Sequence, residues 1–136
     1  MIALGLGAWA WARWRPSVVE IRGDSMTPTL RAGDLALVVR VRSARRGWVV
    51  VARSPERPGL EIVKRVTAGP GDLAPDGRVL GPRECWVEGD APASSTDSRR
   101  LGPLDLGDVR GRVLAVCWPP SRWSLVGSRR PALPTL

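Results

Sequence analysis

The chain has 136 residues, with 21 Lys and Arg against 13 Asp and Glu, so its formal net charge at pH 7 is +8. This length accommodates one compact domain and excludes a large multidomain enzyme. Hydrophobic residues make up 43% of the chain, too high a proportion for a disordered basic tail, and they predict a folded core. Histidine is absent, which excludes Ser-His-Asp and Cys-His catalysis and imidazole metal ligation.

Residues 2–12 form an uncharged apolar run, IALGLGAWAWA, which is followed by Arg13, Trp14 and Arg15. At a helical rise of about 1.5 Å per residue, this run reaches only about half of a bilayer core. We interpret residues 1–15 as a short membrane anchor, shortened at its start or inserted into one leaflet, with tryptophans at the lipid interface. A signal-peptide-like stretch and a buried helix are the alternatives. The two arginines favour a cytoplasmic body, so the pattern leaves the topology open.

From residue 17 onward the sequence is typical of short β-strands separated by tight turns. Period-two alternation and β-branched residues predict strands at residues 17–22, 34–42, 48–52, 60–67, 85–88 and 112–118. Gly- and Pro-containing segments mark the turns between them. The 15 Gly and 13 Pro accord with a mainly antiparallel β domain over residues 16–123, followed by a frayed tail at residues 124–136.

The two cysteines, Cys85 and Cys117, are too few for a disulfide framework and lack the spacing of a zinc site. Each precedes a tryptophan in an apolar run. We therefore interpret both as small buried hydrophobic residues, with a single disulfide as the alternative.

The basic residues comprise 20 Arg and a single Lys, Lys64. Lysine can lose its proton near neutral pH, whereas arginine effectively cannot, so Lys64 is a candidate base. It lies in the apolar run EIVKRV, and such surroundings lower the pKa of an ammonium group by disfavouring its charged form. Ser25 lies between a strand and a Pro-containing turn, in GDSMTPTL. A neutral Lys64 amine could take the proton of the Ser25 hydroxyl.

A third segment, EGD followed by STDSR, supplies a hydroxyl that could orient the amine and a carboxylate–guanidinium pair that could brace the loop. Each segment is ordinary by itself, because serine is common in turns, a strand lysine usually extends toward solvent, and Asp-Ser-Arg is common on surfaces. Only their combination and order point to one site.

The three blocks GDSMTPTL, IVKRVTAGPGD and GDAPASSTDSRRLGP resemble the sequence boxes of type I signal peptidases, the membrane-bound Ser-Lys proteases that remove signal peptides. The resemblance extends from about Glu20 to Trp123. The final WPPSRW and the short spacing between blocks are most similar to the small inner-membrane-peptidase branch. Similar small proteins mature nickel superoxide dismutase, so a dedicated maturation protease for one such precursor is the alternative function that the resemblance implies. The resemblance implies a coiled antiparallel β-sheet domain preceded by a short apolar membrane-associated helix.

By position in the blocks, the resemblance implies that Ser25 is the nucleophile and Lys64 the general base. Ser95 matches the hydroxyl that hydrogen-bonds to the lysine, while Asp97 and Arg99 match the pair that braces the site. The family mechanism requires no metal and no cofactor.

The oxyanion hole and two further positions depart from the family pattern. The backbone N–H of Ser25 would be one oxyanion donor, and Gly23 stands where some members carry a second, hydroxyl donor. Ala91 replaces the Asn of a Gly-Asp-Asn motif, and residues 47–48, Gly-Trp, stand where Gly-Asp usually begins a core strand. Neither of the last two departures removes a catalytic atom, whereas the glycine at position 23 leaves the second oxyanion donor unidentified.

The resemblance also implies how a substrate would bind. An extended peptide would add as a strand against edges that include Ile21, Asp24, Ile62 and Val63, and shallow pockets would admit only small side chains at the first and third positions before the cut. The implied partners are such precursor proteins, membrane lipid and a second peptidase subunit. The implied location is the extracytoplasmic side of the cell membrane or, alternatively, the mitochondrial inner membrane facing the intermembrane space.

Three other functions compete with this interpretation. The net charge and the cluster of Arg42, Arg45 and Arg46 suit a nucleic-acid-binding β module, but stacking aromatics are few, so we expect no nucleic-acid partner. Anionic lipid headgroups account for the charge equally well. Self-cleaving repressor-type Ser-Lys proteases need DNA-binding helices, whereas the 24 residues before Ser25 are mostly apolar. An inactive membrane scaffold is the third competitor.

Overall fold

A computed structural model describes residues 15–57 and 59–128 of the chain. The strands in these ranges are β1 Ser17–Glu20, β2 Leu35–Arg40, β3 Val49–Arg53, β4 Glu61–Ala68, β5 Glu84–Glu88, β6 Leu104–Asp105, β7 Val109–Trp118 and β8 Ser124–Leu125. A short helix, α1, covers Ser98–Leu101, and single 3₁₀ turns cover Pro92–Ser94, Leu106–Asp108 and Pro120–Arg122.

The strands form one antiparallel sheet in the order β1-β2-β7-β3-β4-β5-β6, with β8 paired to β7. Strand β7, the longest in the described ranges, lies between β2 and β3. It therefore pairs a late segment of the sequence with two early ones. The prediction of a mainly β, antiparallel domain is confirmed.

Strand β3 is buried on both of its faces. Val49 and Val51 belong to one apolar cluster, whereas Val50 and Ala52 belong to a second, because successive side chains of a strand point to opposite faces. This double burial accounts for the continuous run of apolar residues in β3, in place of the alternation that a half-exposed strand would have.

All six predicted strands are present, with ends that differ from the prediction by at most three residues. The structure adds the two-residue strands β6 and β8 and the helix α1, which the sequence did not predict. The expectation of a frayed tail is wrong for residues 124–126. Strand β8 pairs with β7, and the buried Val126 packs in the first apolar cluster and donates its N–H to the carbonyl of Leu114 at 2.8 Å.

The predicted apolar helix at the N-terminus lies outside the described residues, except for Arg15. None of the helices in the described ranges combines the length and the apolar character that crossing a bilayer requires.

Both cysteines are free thiols. Cys85 is buried, and burial raises the pKa of its thiol to about 11, so it behaves as the small hydrophobic residue that the sequence indicated. Cys117 is only half-buried and places its Sγ 3.3 Å from the carbonyl oxygen of Leu35.

Candidate active site

Ser25 lies in the loop between β1 and β2, which we call the serine loop (residues 21–34). The base of this loop is closed by two backbone hydrogen bonds, from Ile21 N–H to the Asp34 carbonyl at 2.8 Å and from Gly33 N–H to the Ile21 carbonyl at 2.9 Å. The side chains of Met26 and Leu30 are buried in the first apolar cluster. The loop is therefore held at its base and along its length, while Ser25 itself stays half-exposed.

Lys64 lies in the middle of β4, directly opposite Val50 of β3. Its side chain is only 6% exposed, and its Nζ donates a hydrogen bond to the Ser95 Oγ at 3.0 Å. Burial lowers the pKa of Lys64, and the positive charge of Arg99 lowers it further, whereas the carboxylate of Asp97 raises it. The net direction is downward. The lysine is thus shifted toward the neutral amine, the form that can accept a proton.

Asp97 accepts several hydrogen bonds, including the one that positions Ser95, the hydrogen-bond partner of Lys64. Its carboxylate accepts from the Ser95 hydroxyl at 2.7 Å, from the Gly89 N–H at 2.8 Å and from Arg99 Nε at 2.9 Å. Burial by itself raises the pKa of Asp97, but hydrogen bonds from Arg99, Gly89 and Ser95 outweigh it and bring the pKa to about 2. Asp97 also caps the N-terminus of α1 through the Arg99 N–H.

The direction of these hydrogen bonds fixes the roles of Lys64 and Ser95. A serine hydroxyl has one proton, and Ser95 gives it to Asp97, so Ser95 must accept from the lysine. A neutral Lys64 that donates one N–H to Ser95 keeps its lone pair free to accept a proton from another group.

Ser25 and Lys64 line the same cleft, which has a volume of about 360 Å³. The Ser25 carbonyl accepts the N–H of Ala91 at 2.8 Å, which ties the serine loop to the segment that carries Ser95. Gly89 lies between Ser25 and Ser95. A Cβ added at Gly89 would stand 2.6 Å from the Ser25 carbonyl oxygen and closer still to Ser95 Oγ. Within the described residues, no hydrogen bond joins Ser25 Oγ to Lys64 Nζ.

The other predicted site residues divide into two groups. Gly23, Ile21, Ile62 and Val63 line the cleft with Ser25, but Asp24 is not among the lining residues. The carbonyl of Asp24 instead closes a turn by accepting the N–H of Thr27 at 3.1 Å.

The cleft lies beside backbone that has room for another strand. Within the part of the chain that the structure describes, β1 pairs only with β2, and β5 pairs with β4 only from Arg65 onward. Among the described residues, no strand covers the outer edge of the first part of β4, which includes Ile62 and Val63. Both edges present the unpaired backbone groups that an extended peptide could use.

Arg65 and Asp90 support the site, although the sequence alone predicted no role for either residue. Both are buried, and Arg65 holds Asp90 through two hydrogen bonds of 2.9 Å. Asp90 also accepts the hydroxyl of Thr29, in the serine loop, at 2.6 Å, so the pair connects β4 to that loop. The signal available in the sequence was a charged residue directly after the candidate base in an otherwise apolar strand.

At two of the positions that depart from the family pattern, the backbone makes hydrogen bonds to residues of the site. Ala91 holds the Ser25 carbonyl through its N–H, a contact that does not depend on its side chain. Gly47 has φ +94°, a conformation that favours glycine, and its carbonyl accepts a hydrogen bond from Arg65 at 2.8 Å. Trp48 is covered by the guanidinium of Arg112, 4.4 Å from the ring centroid. Gly23 faces the cleft without a side-chain donor.

Comparisons with known proteins identify the family. The family model described as signal peptidase, peptidase S26, matches residues 1–75. Mitochondrial inner membrane protease subunit 2 of Danio rerio is 35% identical over 85% of this chain and 74% of its own length. Subunit 2 of Mus musculus is 36% identical over 84% and 74%, and subunit 1 of Homo sapiens is 34% identical over 75% and 69%. The chain therefore belongs to the S26 signal peptidase family and is a serine protease of the type I signal peptidase kind.

Proposed function

We propose that Ser25 and Lys64 form the catalytic dyad of a membrane-bound endopeptidase that removes N-terminal signal or leader peptides from exported precursors. The observation that carries this proposal is the buried Lys64, which donates to Ser95 in the cleft that Ser25 also lines. Residues 16–123 would make up the catalytic domain.

In the proposed mechanism, the neutral Lys64 amine accepts the proton of Ser25 Oγ as that oxygen attacks the scissile carbonyl carbon. The Ser25 backbone N–H stabilises the oxyanion, and a donor near Gly23 completes the hole. The lysine ammonium then gives its proton to the leaving amine, which leaves an ester on Ser25. Lys64 next accepts a proton from a water molecule as the water oxygen attacks the ester carbonyl. Its ammonium then returns that proton to Ser25 Oγ as the acyl–oxygen bond breaks, which frees the product acid and the serine.

Ser95, Asp97 and Arg99 act by positioning. Asp97 holds the Ser95 hydroxyl, Ser95 holds the lysine, and Arg99 keeps Asp97 ionised. The two open strand edges would bind the precursor in extended form, with Ile21, Ile62 and Val63 beside it. We infer from the family resemblance that the cleft admits only small side chains at the first and third positions before the cut.

The relatives suggest a location and a protein partner for the enzyme. Because they are subunits of mitochondrial inner membrane proteases, we propose attachment to a membrane and association with a second peptidase subunit. The cell membrane with an extracytoplasmic catalytic domain and the mitochondrial inner membrane facing the intermembrane space are the two locations proposed.

The test is cleavage, in detergent, of a preprotein whose signal ends in Ala-x-Ala. We expect the unmodified chain to cut after the second Ala, as read by the masses of the products. Ser25→Ala and Lys64→Arg should each lower kcat/KM by at least about a thousandfold, because arginine cannot serve as a base.

Ser43→Ala, at an exposed serine outside the cleft, is the matched control and should retain activity. Circular dichroism should show that all variants are folded. Activity in Lys64→Arg would refute the general-base role. Cleavage by none of the proteins would favour a dedicated substrate, a missing partner subunit or the inactive scaffold.

A further inference from the structure

Away from the cleft, exposed arginines from distant parts of the chain meet at one end of the sheet. We call this region the arginine surface and define it by six exposed residues: Arg15, Arg40, Arg42, Arg53, Arg83 and Arg110. They line two depressions of about 360 and 340 Å³, which share Arg40 and Arg110 and are therefore continuous.

The antiparallel pairing explains why these residues meet. Arg40 ends β2 and lies opposite Gly111 of β7, while Arg110 is the second residue of β7. Arg53 ends β3, and its neighbour Ala52 lies opposite Val109 of β7. The last residues of β2 and β3 and the start of β7 thus bring three guanidinium groups together at one end of the sheet.

Carboxylates neutralise part of this positive charge, and Asp108 also lines the depression of about 340 Å³. Arg110 is paired with Glu61 at 2.7 Å, and Arg83 lies 3.6 Å from a carboxylate oxygen of Asp105. In the described ranges, no carboxylate lies within salt-bridge distance of Arg40, Arg42 or Arg53. Three exposed guanidinium groups therefore keep their donors available for an external anion.

The position of this surface indicates which anion it meets. β1 begins beside the end of β2, since Ser17 lies opposite Val38. Arg15, two residues before β1, lies on the arginine surface. The uncharged apolar residues 2–12 come shortly before this point. An apolar run followed at once by exposed arginines is the arrangement in which the run enters hydrocarbon and the guanidinium groups reach the phosphate layer.

We propose that the arginine surface binds the headgroups of anionic phospholipids and orients the domain on its membrane. The described residues that line the two depressions include no aromatic side chain, which disfavours single-stranded nucleic acid as the occupant because such binding relies on base stacking. The inference extends the proposed membrane attachment and is independent of the Ser25–Lys64 dyad.

The experiment measures binding of the full chain to vesicles of phosphatidylcholine alone and of phosphatidylcholine mixed with phosphatidylglycerol. We expect about tenfold or greater preference for the anionic vesicles at low salt, decreasing as NaCl is added. The triple variant Arg40→Gln/Arg42→Gln/Arg53→Gln should lose most of that preference and still bind neutral vesicles like the unmodified chain. Its preprotein cleavage in detergent should be unchanged, which keeps this test separate from that of the dyad.

The matched control is Arg31→Gln/Arg46→Gln/Arg100→Gln, which removes the same charge from exposed arginines outside the surface. It should keep the preference for anionic vesicles. Equal losses in the two triple variants would show that only net charge matters and would overturn the proposal, as would full retention by the first variant. If the first variant instead loses affinity for a DNA duplex while its vesicle binding is unchanged, the surface is a nucleic-acid site.

Discussion

The protonation of Lys64 reflects a balance between burial and two nearby charges. Burial lowers the pKa of the amine most, Asp97 raises it, and Arg99 lowers it again. Arg99 also pairs with Asp97, so the cation that lowers the pKa of Lys64 contacts the carboxylate that raises it. A partly exposed residue that does not touch the amine thus influences which form of the base is present.

This balance predicts the pH dependence of activity. In the proposed mechanism the active amine is the deprotonated form, so kcat/KM should rise with pH through the pKa of Lys64. Removing the positive charge in Arg99→Gln raises that pKa, so the amine stays protonated to higher pH and the rising limb should move to higher pH. The measurement is a pH profile of kcat/KM for preprotein cleavage.

Arg100→Gln, one residue further along α1, is the control and should leave the profile in place. A rising limb of the kcat/KM profile at the same pH or at lower pH in Arg99→Gln would contradict this account of Lys64. The position of the limb distinguishes this effect from general damage, which would lower the rate at every pH.

Among the elements, the serine loop is joined to a later part of the chain by an ion pair whose carboxylate is buried. Asp34, at the base of the loop, accepts hydrogen bonds of 2.8 and 2.9 Å from Arg122 in the 3₁₀ turn after β7. The side chain of Asp34 is 2% exposed and that of Arg122 is 25% exposed. The hydrogen bond from Arg122 lowers the pKa of Asp34, so the pair remains charged.

Breaking this pair from one side should destabilise the fold, because it leaves a buried charge without its partner. We expect Arg122→Gln to cost about 2 kcal/mol, less than for a fully buried pair because Arg122 is partly exposed. With Asp34→Asn and the double variant, urea unfolding should give a coupling energy of about 1–3 kcal/mol.

Arg78→Gln, in the more exposed pair with Asp76, is the comparison and should change stability by less than about 1 kcal/mol. Additive effects of the two substitutions at Asp34 and Arg122 would mean that the pair does not act as a unit.

Across the whole molecule, β3 forms the common wall of two apolar clusters. Val49 and Val50 lie on opposite faces of this strand, and each is 1% exposed, so a polar atom introduced there loses its contact with water. Val49→Thr and Val50→Thr change shape little but add a hydroxyl on opposite faces, and each should lower the free energy of unfolding by about 1–3 kcal/mol. Urea denaturation of the purified variants measures both.

Val18→Thr, on the edge strand β1 where the residue is 55% exposed, should change stability by less than about 0.5 kcal/mol. A large cost for only one of the two β3 variants would show that one face of the strand is accessible to water.

The strands that the sequence predicted are those long enough to show a period. Strands β6 and β8 have two residues each, too few for alternation to appear, and they form because β5 and β7 offer them an edge. Their pairing depends on distant residues, as does the burial of Val126, so no local pattern could indicate them.

The sequence by itself determined the chemistry available to this protein: no histidine, one lysine, a serine in a rigid turn, the family blocks and a mainly β fold. These follow from residue types and local periodicity, which are properties of the chain. The tertiary structure decided that Lys64 is buried and donates to a serine 31 residues away, that Arg65 and Asp90 support the serine loop, and that six arginines share one surface. Burial, hydrogen bonding and electrostatic attraction depend on distances in space, and only the folded sheet sets those distances.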